Sequence, residues 1–163
     1  RDYSIMVEGQ VDLIMSHQAG FTNTVAVSGT ALSADVTADD AVTNLGLLTR
    51  LSKNIILSFD SDEAGFKASA RNARTALSLG MDVKVAKMPK GDDPADIILR
   101  NPSEWAEIIK HSKHVIDFSL ETLLEKKLDP RKLGKEIVTL ILPYVQALQS
   151  ALDRAHHKYS RGF

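Results

Sequence analysis

Hydrophobic and polar positions along the chain follow two rhythms. Four short apolar runs rich in β-forming residues stand out: "YSIMV" (3–7), "NTVAVS" (23–28), "NIILSF" (54–59) and "DVKVAKM" (82–88). Between them Ala and Leu recur at i, i+3 and i+4, the period of a helix. In "EAGFKASARNARTALSLG", Ala64, Ala68, Ala73 and Leu77 keep that spacing, small side chains suit close packing on a sheet, and Gly80 predicts the stop. Strands alternating with helices predict βαβ units with right-handed crossovers. Strands that read as nearly continuous apolar runs predict a sheet covered on both faces. The expected fold is therefore α/β, a mainly parallel four-stranded sheet flanked by helices.

After Pro89 only helical patterns remain: "DPADIILRN", "PSEWAEIIKHS", "KHVIDFSLETLLEKK" and a long C-terminal run in which Pro143 predicts a kink or division. Two of these open on Asp-Pro, the N-cap and first-turn pairing that starts helices. The predicted organisation is an α/β unit over 1–101 and a helical subdomain over 102–163, with Trp105 anchoring the second to the first. The acidic, Thr-rich stretch "SADVTADDAVTN" (33–44) predicts a surface loop.

Composition narrows the function classes. With 163 residues, 44% of them hydrophobic, the chain is long enough for a core of its own. Lys and Arg number 20 against 21 Asp and Glu, so overall charge does not advertise a nucleic-acid partner and any such role must rest on local chemistry. The absence of Cys excludes a disulfide framework and a thiolate zinc site. No apolar run approaches the ~20 residues of a membrane span, and the opening "RDYSIMVEG" lacks a signal-peptide core. The expectation is a soluble cytoplasmic protein, and a strand-like run beginning by Tyr3 suits a piece of a longer polypeptide.

The acids sit where ligands bind in such folds, beyond the carboxyl ends of parallel strands. Glu8 follows the first run, Asp60 and Asp62 the third, and "GDDPAD" (91–96), with Asp93 and Asp96, the fourth; Asp12 lies one turn beyond Glu8. Converging carboxylates without compensating cations raise one another's pKa unless a metal ion sits among them. Mg²⁺ takes oxygen ligands and is held by one or two carboxylates together with substrate phosphates. Each acid also has a plainer role. Asp93 before Pro94 suits an N-cap, Asp96 and Asp12 suit the first turns of helices, and Asp62 could cap the helix after Ser61.

Other motif readings meet obstacles. "DSDEAG" begins like a calcium loop, but Ala64 and Arg71 stand where acidic ligands are required. An aspartyl phosphatase would use Asp60 as nucleophile, yet that pair usually follows the first strand. A receiver domain would need an acidic pair there, where Gly9 stands beside Glu8. The five histidines (17, 111, 114, 156 and 157) lie away from the strand ends, and none is assigned to a metal.

"VEGQVD", "VAVSGTAL", "LSFDSDEAG" and "KGDDPADII", in this order and spacing, resemble the TOPRIM domain, and within that superfamily bacterial DNA primase. The resemblance covers essentially the whole chain. It implies a TOPRIM-type fold, metal-dependent nucleotidyl transfer in primer synthesis, and Glu8, Asp60 and Asp62 as catalytic residues. Asp12 and Asp93 match metal-site positions of the family. The family's "DPD" is here "DPAD", which brings in Asp96 with Ala95 in the usual acidic place. The connection over 33–46 is longer than usual. The resemblance further implies one to three Mg²⁺ or Mn²⁺ ions, ribonucleoside triphosphates, a single-stranded DNA template and an RNA primer. A replicative helicase would bind through a region beyond these residues, in the bacterial cytoplasm at the replication fork. No zinc and no membrane contact are expected of this stretch. Lys67, Arg71, Lys87 and Lys90 are candidate phosphate contacts, with solvated surface charges as the alternative. A TOPRIM nuclease or topoisomerase, and a non-catalytic metal- or nucleotide-binding module, remain as other readings.

Overall fold

A computed structural model describes residues 2–27, 44–58, 63–149 and 152, without the side chains of 44–47 and 63–69. Five strands form one sheet in the order β2-β1-β3-β4-β5: β1 (Ser4–Val7), β2 (Thr24–Ala26), β3 (Asn54–Ser58), β4 (Asp82–Val85) and β5 (Lys113–His114). The first four are parallel, with Ile5 opposite Thr24, Val7 opposite Ser58 and Leu57 opposite Val85. β5 runs antiparallel to β4, pairing Val85 with Lys113. The expected mainly parallel α/β sheet is present, but with a fifth strand from the stretch read as purely helical. A two-residue strand is too short to carry a period-2 signal.

The position of β1 between β2 and β3 explains its sequence: all four of its residues are buried. Alternate strand residues feed two cores. Met6, Ile55, Leu57, Val83 and Val85 meet Leu48 of α2 (Asn44–Leu51), Ala73, Ala76 and Leu77 of α3 (Glu63–Ser78), and Val115 of α6 (Val115–Glu125). Tyr144 and Ala147, from a helical run over 142–149, complete that side. On the other face Ile5, Val7 and Ile56 meet Ile97 and Ile98 of α4 (Pro94–Arg100) and Trp105 and Ile109 of α5 (Pro102–Lys110). Leu13 and Met15 of α1 (Gln10–Gln18) pack along the edge of this second core. Trp105 is fully buried and meets Phe21 edge to face at 6.2 Å between ring centroids, which fits the anchoring role expected of it.

Local chemistry sets the ends of these helices. Gly80, at φ +77°, closes α3: its N–H reaches Leu77 O at 2.9 Å and the next N–H reaches Ala76 O at 3.1 Å. The Asp129 carboxylate accepts the N–H groups of Arg131 and Lys132 at the start of α7 (Pro130–Leu140). α7 ends at Ile141, and Pro143 falls in the first turn of the next helical run, the position where its missing N–H costs nothing. The predicted division at Pro143 therefore holds. The loop expected over 33–44 lies outside the described residues apart from Asn44, which begins α2.

Candidate active site

β1 lies between β2 and β3, and the chain leaves it first to β2 on one side and then to β3 on the other. The strand order therefore reverses between β1 and β3, and the crevice beyond their carboxyl ends is the place where such sheets bind ligands. Glu8 is the first residue past β1, whose last residue Val7 pairs with Ser58, the last of β3. Asp60 and Asp62 follow Ser58 by two and four residues in sequence and lie outside the described residues. The Glu8 side chain is exposed and has no hydrogen bond or ion pair among the described residues. Among the described residues it is thus an uncommitted carboxylate at the reversal point.

Asp12 behaves differently. Only 6% exposed, it accepts Gly9 N with Oδ2 at 3.0 Å and Ala95 N with Oδ1 at 3.1 Å. One carboxylate thereby clamps the β1–α1 turn, which carries Glu8, to the first turn of α4. Burial raises its pKa above the ordinary carboxylate value, the two backbone donors oppose that shift, and the charges of Asp93 and Asp96 add to it. Gly9 has ordinary extended backbone, but a Cβ there would stand 2.9 Å from Asp12 Oδ2. A side chain at this position would require the carboxylate to shift. The clamp is a role for Asp12 beside the metal-site position that the family resemblance implies for it. The signal was a Gly followed three residues later by Asp at a helix start.

The other acids divide in the same way. Asp93 caps α4, its Oδ1 accepting Asp96 N at 2.7 Å. Asp92 pairs with Arg100 at 2.9 Å, and Arg100 also pairs with Glu104 at 2.9 Å; both partners raise the guanidinium pKa. Asp96 is exposed and has no side-chain partner among the described residues. Among the cations, Arg71 and Lys90 are exposed, Lys87 is ion-paired with Glu125 at 2.9 Å, and the Lys67 side chain lies outside the described set. Tyr144 is buried, and Ser119 hydrogen-bonds its hydroxyl, so it is no surface nucleophile.

Among the described residues no three acids or histidines come close enough to hold a metal ion. Also among them, no helix is long and apolar enough to cross a membrane. The described donor at the reversal point, Glu8, offers hard carboxylate oxygens and has no partner among the described residues, which fits a Mg²⁺-like cation rather than a soft metal.

A Toprim-like family model matches residues 5–98, from the first residues of β1 into α4. The chain belongs to the Toprim-like family. This Toprim-like chain is 33% identical over 125 residues to a DNA primase of Clostridium acetobutylicum, an alignment covering 76% of this chain and 20% of that one. In structure it resembles the zinc-binding and RNA polymerase domains of Aquifex aeolicus primase, with a TM-score of 0.72 and 26% identity. That match covers 98% of this chain and 38% of the other. It also resembles the RNA polymerase domain of Mycobacterium tuberculosis primase in complex with double-stranded DNA, with a TM-score of 0.65 and 26% identity, over 98% of this chain and 50% of that one. The chain spans 15–25% of the length of the curated relatives it matches. Membership of this family, with a primase core as its structural relative, implies use of a divalent metal.

Proposed function

We propose that this chain is the catalytic TOPRIM part of a DNA-dependent RNA polymerase that makes short RNA primers for DNA replication. The observation that carries the reading is the carboxylate of Glu8, without a partner among the described residues, at the β1/β3 reversal, with an Asp-x-Asp following β3 in sequence. The relatives named above, all primases, support it. In this reading residues 1–101 carry the chemistry and 102–163 brace it as a helical subdomain.

Glu8, Asp60 and Asp62 would hold one to three Mg²⁺ or Mn²⁺ ions, with Asp96 as a further oxygen donor. The ions, when bound, would stabilise the attacking and leaving oxygens of the displacement. A primer 3′-hydroxyl, losing its proton to solvent, attacks the α-phosphorus of a ribonucleoside triphosphate, a P–O bond forms, and the bond to pyrophosphate breaks. The protein's own part is positional. Asp12 fixes the turn that aims Glu8, and Asp93 sets the α4 start that carries Asp96. Lys67, Arg71 and Lys90 supply charge for the triphosphate, and Lys87 can do so by exchanging Glu125 for a phosphate. The template is single-stranded DNA, a replicative helicase binds outside these residues, and the setting is the bacterial replication fork.

The test is Mn²⁺ calorimetry on the wild-type chain and on Asp60→Ala, with folding of both checked by circular dichroism. Saturable binding that is lost in a folded mutant is expected. Equal affinities would return Asp60 and Asp62 to the role of helix-end residues and remove the metal chemistry from the proposal.

A further inference from the structure

Positive charge in this chain is concentrated at one turn. Between α6 and the first turns of α7, residues 126–135 read "KKLDPRKLGK": Lys126, Lys127, Arg131, Lys132 and Lys135 against Asp129 alone, in a chain whose formal net charge is -1. All five cations are exposed. Lys132 lies 3.6 Å from Asp129, while Lys126, Lys127, Arg131 and Lys135 form no ion pair among the described residues. Asp129 is itself committed as the α7 cap.

The fold puts this turn beside the acidic rim. β5 runs antiparallel to β4, so α6 returns along β4 toward its carboxyl end. Glu125, the last residue of α6, meets Lys87, two residues past β4, at 2.9 Å. Lys127 stands at the tip of the turn with φ 48°.

We propose that the α6–α7 turn is a nucleic-acid contact surface that holds the phosphate backbone of the single DNA strand passing the rim. This rests on the proposed function and names where the polynucleotide lies. An acidic rim repels a phosphate chain, so a strand that must pass it needs cations nearby that are not already neutralised. Lys126, Lys127 and Arg131 meet that need; they bind charge and spacing rather than base sequence.

The experiment is fluorescence anisotropy of a labelled oligothymidylate with the 163-residue chain and Mn²⁺, across a salt series. The variant is Lys126→Gln/Lys127→Gln/Arg131→Gln. The control is Arg50→Gln/Lys53→Gln/Lys110→Gln, whose residues lie toward the amino ends of the strands, opposite the rim. Loss of three phosphate contacts lowers the slope of log K against log salt by about 2 and weakens binding about tenfold or more. Mn²⁺ affinity and the melting curve should stay at wild-type values, and the control should bind as wild type. An unchanged slope, an equal loss in the control, loss of Mn²⁺ binding in the variant, or no DNA binding by the wild-type chain would each overturn the proposal. If instead Asp60→Ala kept its Mn²⁺ affinity while the slope difference persisted, the catalytic reading would fall and the contact surface would stand.

Discussion

The Gly9–Asp12–Ala95 clamp makes a quantitative prediction. Replacing Asp12 with Ala leaves the N–H groups of Gly9 and Ala95 without their acceptor, at a site where the carboxylate itself is only 6% exposed. A buried donor left unpaired costs about 1–3 kcal/mol. Both donors are partly buried, so water reaches them in part, and the lower half of that range applies to each. Release of a buried charge offsets some of the loss. The expected cost of Asp12→Ala is therefore about 2–3 kcal/mol, which for a chain of this size lowers Tm by about 5–10 °C. Asp12→Asn keeps one acceptor but turns an amide N–H toward the other donor, for about 1–2 kcal/mol.

The sharper test is a double-mutant cycle with Gly9→Ala. In the wild-type background the new Cβ stands 2.9 Å from Asp12 Oδ2, so the carboxylate must move and loosen its bond to Gly9 N. About 1 kcal/mol of cost is expected. In the Asp12→Ala background the obstacle is gone and Gly9→Ala should cost next to nothing. Urea denaturation of the four proteins would then give a coupling energy of about 1 kcal/mol. Additivity within about 0.3–0.5 kcal/mol would refute the clamp as the reason for glycine at position 9.

Other consequences are open to measurement. Trp105 is the sole tryptophan and fully buried, so Trp105→Ala should cost about 3–5 kcal/mol and detach α5; in the wild-type chain, tryptophan emission should shift red only with global unfolding. Burial raises the Tyr144 pKa above its ordinary 10.0. Since the folded value exceeds the unfolded one, this stability is complete below pH 10 and is lost as pH rises through the raised value. Tyr144→Phe should therefore flatten the alkaline fall in the denaturation midpoint, and parallel curves for the two proteins would count against it. Asp93→Ala should remove the α4 cap for about 1 kcal/mol, whereas Asp96→Ala should leave the melting curve unchanged and, in the proposed reading, weaken Mn²⁺ binding measured by calorimetry.

Much of the fold was legible because the central strands are buried on both sides. The runs 3–7 and 54–59 contain β1 and β3, and the Ala spacing ended by Gly80 is α3. β5 escaped because its two residues, Lys113 and His114, are polar and pair only with the edge of β4; nothing local distinguishes them from a helix start. The sequence places of the strand-end acids were legible: Glu8 directly follows β1, while Asp60 and Asp62 lie outside the described residues. Which acids remain available was not. An Asp after a Gly and an Asp before a Pro both look like ligands in one dimension. Whether Asp12 also holds the Ala95 N–H depends on α1 and α4 being neighbours, a contact between residues 83 positions apart.

That distinction reshapes the rim. A carboxylate that accepts two backbone donors keeps its charge but has little freedom to turn toward an ion, and one paired with arginine has its charge neutralised. By this measure Asp12 and Asp92 hold the scaffold, Asp93 caps α4 through one oxygen, and Glu8 and Asp96 have no side-chain partner among the described residues. The scaffold acids are not spectators. Asp12 joins the turn that bears Glu8 to the helix that bears Asp96, so it fixes the position of the one relative to the other. Pre-organisation of this kind is what a phosphoryl-transfer site requires, because small misplacements of ligands cost more rate than modest losses of charge. The repulsion among the rim acids is thus borne partly by backbone donors and by Arg100.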